Sequence, residues 1–197
     1  GKARAQGSSR ETFTHQQGTN EVKREDKVAI IEFFAWLRNT HVAANKVKSL
    51  TIVFAHAAET CRFANDLARK SGIEEVPFRD AAPLDWRWAE SFIAKAIEQE
   101  AEASLIIAGF PCKGLSSSNV DGKGLHDRQS VLLFELVRVI RECEEQLELD
   151  VEWFAECVAS MKEEERVECS RVLGSAPVLV DAGHITHCRR ETLYWGS

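Results

Sequence analysis

Cys112 and Glu156 are the two side chains whose types and settings suit covalent chemistry. Cys112 lies in Ala103 to Ser118, ASLIIAGFPCKGLSSS, where the apolar run Leu105-Ile106-Ile107-Ala108 meets a break made by Gly109, Pro111 and Gly114. Glu156 follows a second apolar run, VEWFA, and opens the segment Glu156-Cys157-Val158. A thiol can act as a nucleophile, and a carboxyl can donate the proton that offsets charge developing on the substrate. Both residues also have ordinary readings. A cysteine in a Gly/Pro turn can be a small buried filler, and a strand-end glutamate can be a solvated group.

The elements around them must bring the pair together. The run 105–108 has the length and residue types of a strand buried on both faces. Pro111 fixes its own φ and biases Phe110 toward an extended backbone, so the strand should end there. A residue just past the carboxyl end of a parallel strand sits in the crevice where open α/β sheets bind ligands. Val131 to Cys143 is apolar almost all round and reads as a well-buried helix joining the two strands. A right-handed crossover then sets both carboxyl ends on one edge of the sheet.

The remaining chain supports the same architecture. Leu50 to Ala55 reads as a strand, and Glu59 to Ser71 as a helix closed by Gly72. Val76 to Arg79 reads as a short strand running into Asp80-Ala81-Ala82-Pro83. Trp86 to Ala101 should be a helix burying Ala89, Phe92, Ile93, Ala96 and Ile97. Val151 to Ala155, Pro177 to Asp181 and Leu193 to Trp195 read as strands, and Glu163 to Leu173 as an exposed acidic helix. Val28 to Leu37, ten residues with charged flanks, predicts a helix rather than a strand. Residues 1–27 are polar without a core pattern and are expected to be disordered, leaving one domain from 28 to 197. Strands alternating with helices imply an α/β fold with a doubly wound, mostly parallel sheet.

Composition bounds the function. The 197 residues suffice for one domain with a substantial core, and 44% hydrophobic with 28% charged residues is ordinary for a globular protein. No apolar run reaches the ~20 residues of a membrane-spanning helix, so no membrane partner is expected. Six cysteines show no CxxC pair, which favours reduced thiols and an intracellular setting. The net charge of −6 is uneven: Glu142 to Glu168 holds eleven acids and two bases, so the rest is net positive. A nucleic-acid partner would therefore approach another face. His184, His187 and Cys188 have no evident fourth ligand and a spacing unlike common zinc sites, so no metal is expected.

The wording of several segments carries further information. GFPCKGLSSSN, GKGL, WFAECVASM and PVLVDAGHITHCRRETLYWG occur in order and resemble the catalytic domain of DNA cytosine-5 methyltransferases, closest to the de novo type. The likeness covers about residues 50 to 197 and is strongest from 104 onward. It implies the Rossmann-like fold of S-adenosylmethionine-dependent methyltransferases. By the resemblance Cys112, Glu156 and Arg190 match the catalytic Pro-Cys, Glu-Asn-Val and Arg-x-Arg motifs. Glu59, Asp80, Ala81 and Pro111 match positions that hold S-adenosyl-L-methionine. Lys113, Ser116, Asn119, Arg128 and Arg189 fall where such enzymes approach double-stranded DNA. The family also implies residence in the nucleus.

Three departures accompany the likeness. No glycine occurs between Gly18 and Gly72, where relatives carry a glycine-rich cofactor turn; Cys157 replaces the Asn, and Thr192 the second Arg. The target-recognition region and the last cofactor-side motif should follow Trp195, so the resemblance implies an incomplete domain. An accessory protein that partners a second methyltransferase-like subunit is the alternative to an enzyme. A thiol-dependent or other cofactor-binding Rossmann-like enzyme would require the ordered motifs to be coincidental.

Overall fold

The computed structural model describes residues 26–33, 43–44, 46–58, 66, 86–184, 187 and 189–197. Among the described residues six strands form one sheet, accompanied by three α-helices. In chain order the strands are β1 (Asp26–Phe33), β2 (Leu50–Ala58), β3 (Ala103–Gly109), β4 (Asp150–Val158), β5 (Val178–Asp181) and β6 (Glu191–Gly196). The helices are α1 (Trp86–Glu98), α2 (Leu132–Gln146) and α3 (Glu163–Leu173). The helix expected over Glu59 to Ser71 and the strand over Val76 to Arg79 lie outside the described residues, apart from Asp66.

The sheet runs β2-β1-β3-β4-β6-β5. β1 pairs in parallel with β2 and β3, β3 pairs in parallel with β4, and β6 is antiparallel to both β4 and β5. The doubly wound, mostly parallel α/β fold read from the sequence is therefore present. β1, expected as a helix from Val28, is instead a strand opening at Asp26. Its residues from Val28 to Phe33 are all buried. A central strand covered on both faces loses polar–apolar alternation and reads like a buried helix.

α1 and α2 pack together, α2 also touches β4 and α3, and the main core lies beneath them. Ala29, Ile31 and Phe33 of β1 join Ile106, Ala108, Trp153, Ala155, Cys157, Leu193 and Trp195 on this side. α2 is less completely buried than its composition implies. Leu133, Leu136, Val139 and Ile140 face the core, while Phe134 remains exposed. Each fully buried aliphatic side chain there contributes roughly 1.5–3 kcal/mol.

The opposite face of the sheet is more open at β4, β6 and β5. Phe154 stacks on Tyr194 with ring centroids 5.0 Å apart, and both line a groove of about 660 Å³ with Val178 and Val180. Among the described residues no helix is long and apolar enough to cross a membrane.

Candidate active site

β3 and β4 fix the two chemical side chains by register. Gly109, the last residue of β3, is the cross-strand partner of Glu156, and Tyr194 of β6 is its partner on the other side. Cys112 follows Gly109 by three residues, so the thiol loop and the carboxyl share the carboxyl edge of the sheet. Glu156 is not the residue after a strand, as its sequence setting implies. β4 continues to Val158 because β6 pairs with it there through Thr192.

The Glu156 carboxyl is half-buried, and Arg190 Nη2 donates to its Oε1 at 3.2 Å. Burial pushes its pKa up and the neighbouring guanidinium pulls it back, with burial the larger effect. A carboxyl so placed holds its proton more readily than a solvated one, as a proton donor requires. Gly109 makes the arrangement possible, since a Cβ there would lie 3.2 Å from Glu156 Oε2.

Cys112 is half-buried and packs against the main core, and its carbonyl accepts from the N–H groups of Leu115 and Ser116 at 2.9 and 2.8 Å. Cys157 sits on the core side of β4, 1% exposed, and its thiol donates to the Phe110 carbonyl at 3.9 Å. This weak bond ties β4 to the Pro-Cys loop. Burial raises the Cys157 thiol well above the ordinary range, against a smaller lowering by a backbone hydrogen bond at Val158, and neighbouring Cys112, Cys169 and Glu156 add to the rise.

The loop after Cys112 is closed mostly by its own groups. Asn119 Nδ2 donates to the Lys113 carbonyl at 2.7 Å, and its Oδ1 accepts from the Asp121 N–H at 3.3 Å. Ser116 Oγ lies 3.4 Å from Ser160 Oγ and accepts from the Ser118 N–H. These two residues, expected at DNA, shape the loop. Glu165 at the start of α3 accepts from the Leu125 N–H at 3.0 Å, beside Gly124 at φ +60. Any side chain at Gly124 would collide with that carboxyl. Glu165 and Ser160 lie beyond β4, and nothing local in the sequence signals that they hold a loop some 40 residues upstream.

Lys113, Arg128 and Arg189 are exposed, and Pro111 is half-buried at the end of β3. Glu59, Asp80 and Ala81 lie outside the described residues. Thr192, in place of the second arginine, is 4% exposed between Val158 and Val180. Among the described residues no group of three or more His, Cys, Asp or Glu side chains could hold a metal ion.

A mostly parallel sheet with one reversed strand, in which β1 lies between β2 and β3, defines a Rossmann-like methyltransferase fold. A family model of C-5 cytosine-specific DNA methylases matches residues 28–148, and the chain belongs to that family. It is similar in structure to the Entamoeba histolytica methyltransferase EhMeth, with 16% identity, a TM-score of 0.62, and coverage of 87% of this chain and 52% of that one. It is also similar to the S. pombe Dnmt2 methyltransferase, with 17% identity, a TM-score of 0.59, and coverage of 85% and 50%. The chain thus spans about half the length of these two structures.

Proposed function

We propose that this chain carries the base-activating half of a DNA cytosine-5 methyltransferase. The observation that carries the reading is the half-buried Glu156 carboxyl, paired to Arg190 on the same sheet edge as the Pro111-Cys112 loop. Carbon 5 of cytosine is a poor nucleophile until the ring is activated. The Cys112 thiolate forms a bond to carbon 6, and Glu156 gives its proton to ring nitrogen 3 as electrons move onto the ring. Arg190 holds the carboxyl in place and offsets its charge after the transfer. Once carbon 5 has gained its new substituent, solvent water takes the carbon 5 proton, the C–H electrons restore the double bond between carbons 5 and 6, the Cys112 thiolate leaves, and nitrogen 3 returns its proton to Glu156. The base must leave the duplex to reach such a crevice. Lys113, Arg128 and Arg189 are suited to phosphate contact there.

S-adenosylmethionine, when bound, would supply an electrophilic methyl carbon. The carboxyl end of β1, whose two neighbours are β2 and β3, has the right topological address for it. The sequence after β1, Phe34-Ala35-Trp36-Leu37, lacks the glycines that let backbone N–H groups approach such a ligand closely. Glu59, Asp80, Ala81 and Pro111 are the residues assigned to it by resemblance. The glycine-free stretch also favours a second reading, an accessory protein that joins a methyltransferase-like subunit. Nuclear residence belongs to either reading.

Calorimetry with S-adenosylmethionine and its demethylated product separates the two. Heat of binding, followed by a covalent adduct on a duplex carrying 5-fluorocytosine that is lost in Cys112→Ala, supports the enzyme. Absence of heat leaves the accessory reading, and an adduct surviving Cys112→Ala overturns the assigned nucleophile.

A further inference from the structure

We propose that Asp181 is a positioning residue that sets the Arg190 guanidinium against Glu156, an inference that rests on the reading of Glu156 as proton donor. Asp181 ends β5, and its cross-strand partner is Glu191, the first residue of β6. Its Oδ1 accepts from the Gly183 N–H at 2.8 Å and from the Arg190 N–H at 3.3 Å. The Arg190 carbonyl in turn accepts from the Ala182 N–H at 3.0 Å. Both backbone polar groups of Arg190 are thereby fixed to residues 181 and 182.

Such fixing matters because the Arg190 side chain is 67% exposed and its contact with Glu156 is a single hydrogen bond. An exposed ion pair is weak by itself, since a long solvated side chain loses freedom on forming it. Anchoring the backbone shortens the list of positions the guanidinium can occupy. The turn leaves little space for alternatives. A Cβ on Gly183 would lie 3.1 and 3.3 Å from the two Asp181 carboxylate oxygens and 3.1 Å from Arg189 Cγ. An Asp two residues ahead of a glycine is also the sequence pattern of a side-chain-closed turn.

The charged group that bears on the titration of Glu156 is Arg190, which opposes the upward push of burial. Carbon-13 NMR of labelled glutamate side chains, with Glu156 assigned through Glu156→Gln, reads that titration in the whole chain without requiring turnover. Asp181→Ala should move the Glu156 midpoint upward by as much as Arg190→Ala, and the double variant no further. Asp181→Asn keeps an acceptor oxygen of the same reach and should restore the wild-type midpoint. If Asp181→Ala does not fold, Asp181→Ser serves, because it can close the turn but is one bond too short for the Arg190 N–H. A midpoint unmoved in the Ala or Ser variant, while Arg190→Ala moves it, overturns the proposal. The adduct assay on the 5-fluorocytosine duplex should slow roughly tenfold to a hundredfold in Asp181→Ala. A shifted midpoint in a chain that never forms an adduct would leave the positioning role standing and end the enzymatic reading.

Discussion

Gly109 and Glu156 face each other across adjacent parallel strands, and the absence of a side chain on the first gives the carboxyl of the second its seat. Gly109→Ala inserts a methyl group 3.2 Å from Oε2, and the carboxyl must give way. The glycine has no positive φ, so its backbone tolerates alanine. We expect the midpoint of thermal unfolding to move by the equivalent of less than about 1 kcal/mol. Covalent trapping should slow about tenfold, because the acid is displaced rather than removed. Trapping at the wild-type rate would show that the seat is not needed.

Glu156 also makes stability depend on pH. Its folded-state pKa lies above the value of an unfolded glutamate, so the folded chain binds the proton more tightly. Between those two values stability rises as pH falls, and above the folded value ionisation of the half-buried carboxyl costs stability. Glu156→Gln should therefore be more stable than the wild type at pH 7, by about 1 kcal/mol, although inactive. The difference should shrink on acidification through the raised pKa, as measured by urea midpoints.

His56 acts in the opposite sense. It is 7% exposed on β2, its ring lies 5.2 Å from that of Phe54 and 6.0 Å from that of Phe92, and its pKa is lowered to about 4. Burial is the main cause, with Lys95 of α1 adding to it. The unfolded chain takes up this proton near pH ~6.5, the folded chain only near 4. Stability is then flat above the first value and is lost as pH falls from it toward about 4, by ~1–3 kcal/mol. His56→Gln should abolish this slope in urea denaturation followed from pH 7 to 4.

Thiol reactivity should single out one cysteine among the four described. Burial lifts the pKa of Cys143 and Cys169 to about 12 and that of Cys157 higher still, so their thiolates are scarce at neutral pH. Cys112 is the half-buried one. Brief alkylation with iodoacetamide followed by mass mapping should label Cys112 first and the other three only on unfolding. Early labelling of Cys157 would mean that β4 opens at its carboxyl end.

Much of this arrangement was legible in the residues, for reasons that also explain the misses. β3 could be read because Pro111 and the glycines mark its end in the sequence itself. α1 was legible because Ala89, Phe92, Ile93 and Ala96 keep a helical period on one buried face. Ile97, expected on that face, is 62% exposed, one position beyond its edge. β1 reads as a helix because burial on both faces erases its period. The extra length of β4 was invisible because it depends on β6, whose Thr192 is 34 residues from Val158. Asn119 and Ser116 also hold the loop's shape through hydrogen bonds to the Lys113 carbonyl and with the Ser160 hydroxyl, pairings that only the folded chain creates.

One strand running against its neighbours has a consequence for how this crevice can be altered. The thiol and the acid hang from the finishing ends of β3 and β4, whereas Arg190 arrives just ahead of the opening residue of β6. Two members of the trio are thus welded to the frame, and the third rides on an approach ramp. Lengthening or trimming that ramp would swing the cation in or out and leave its companions untouched, which makes it the natural dial for retuning the acid.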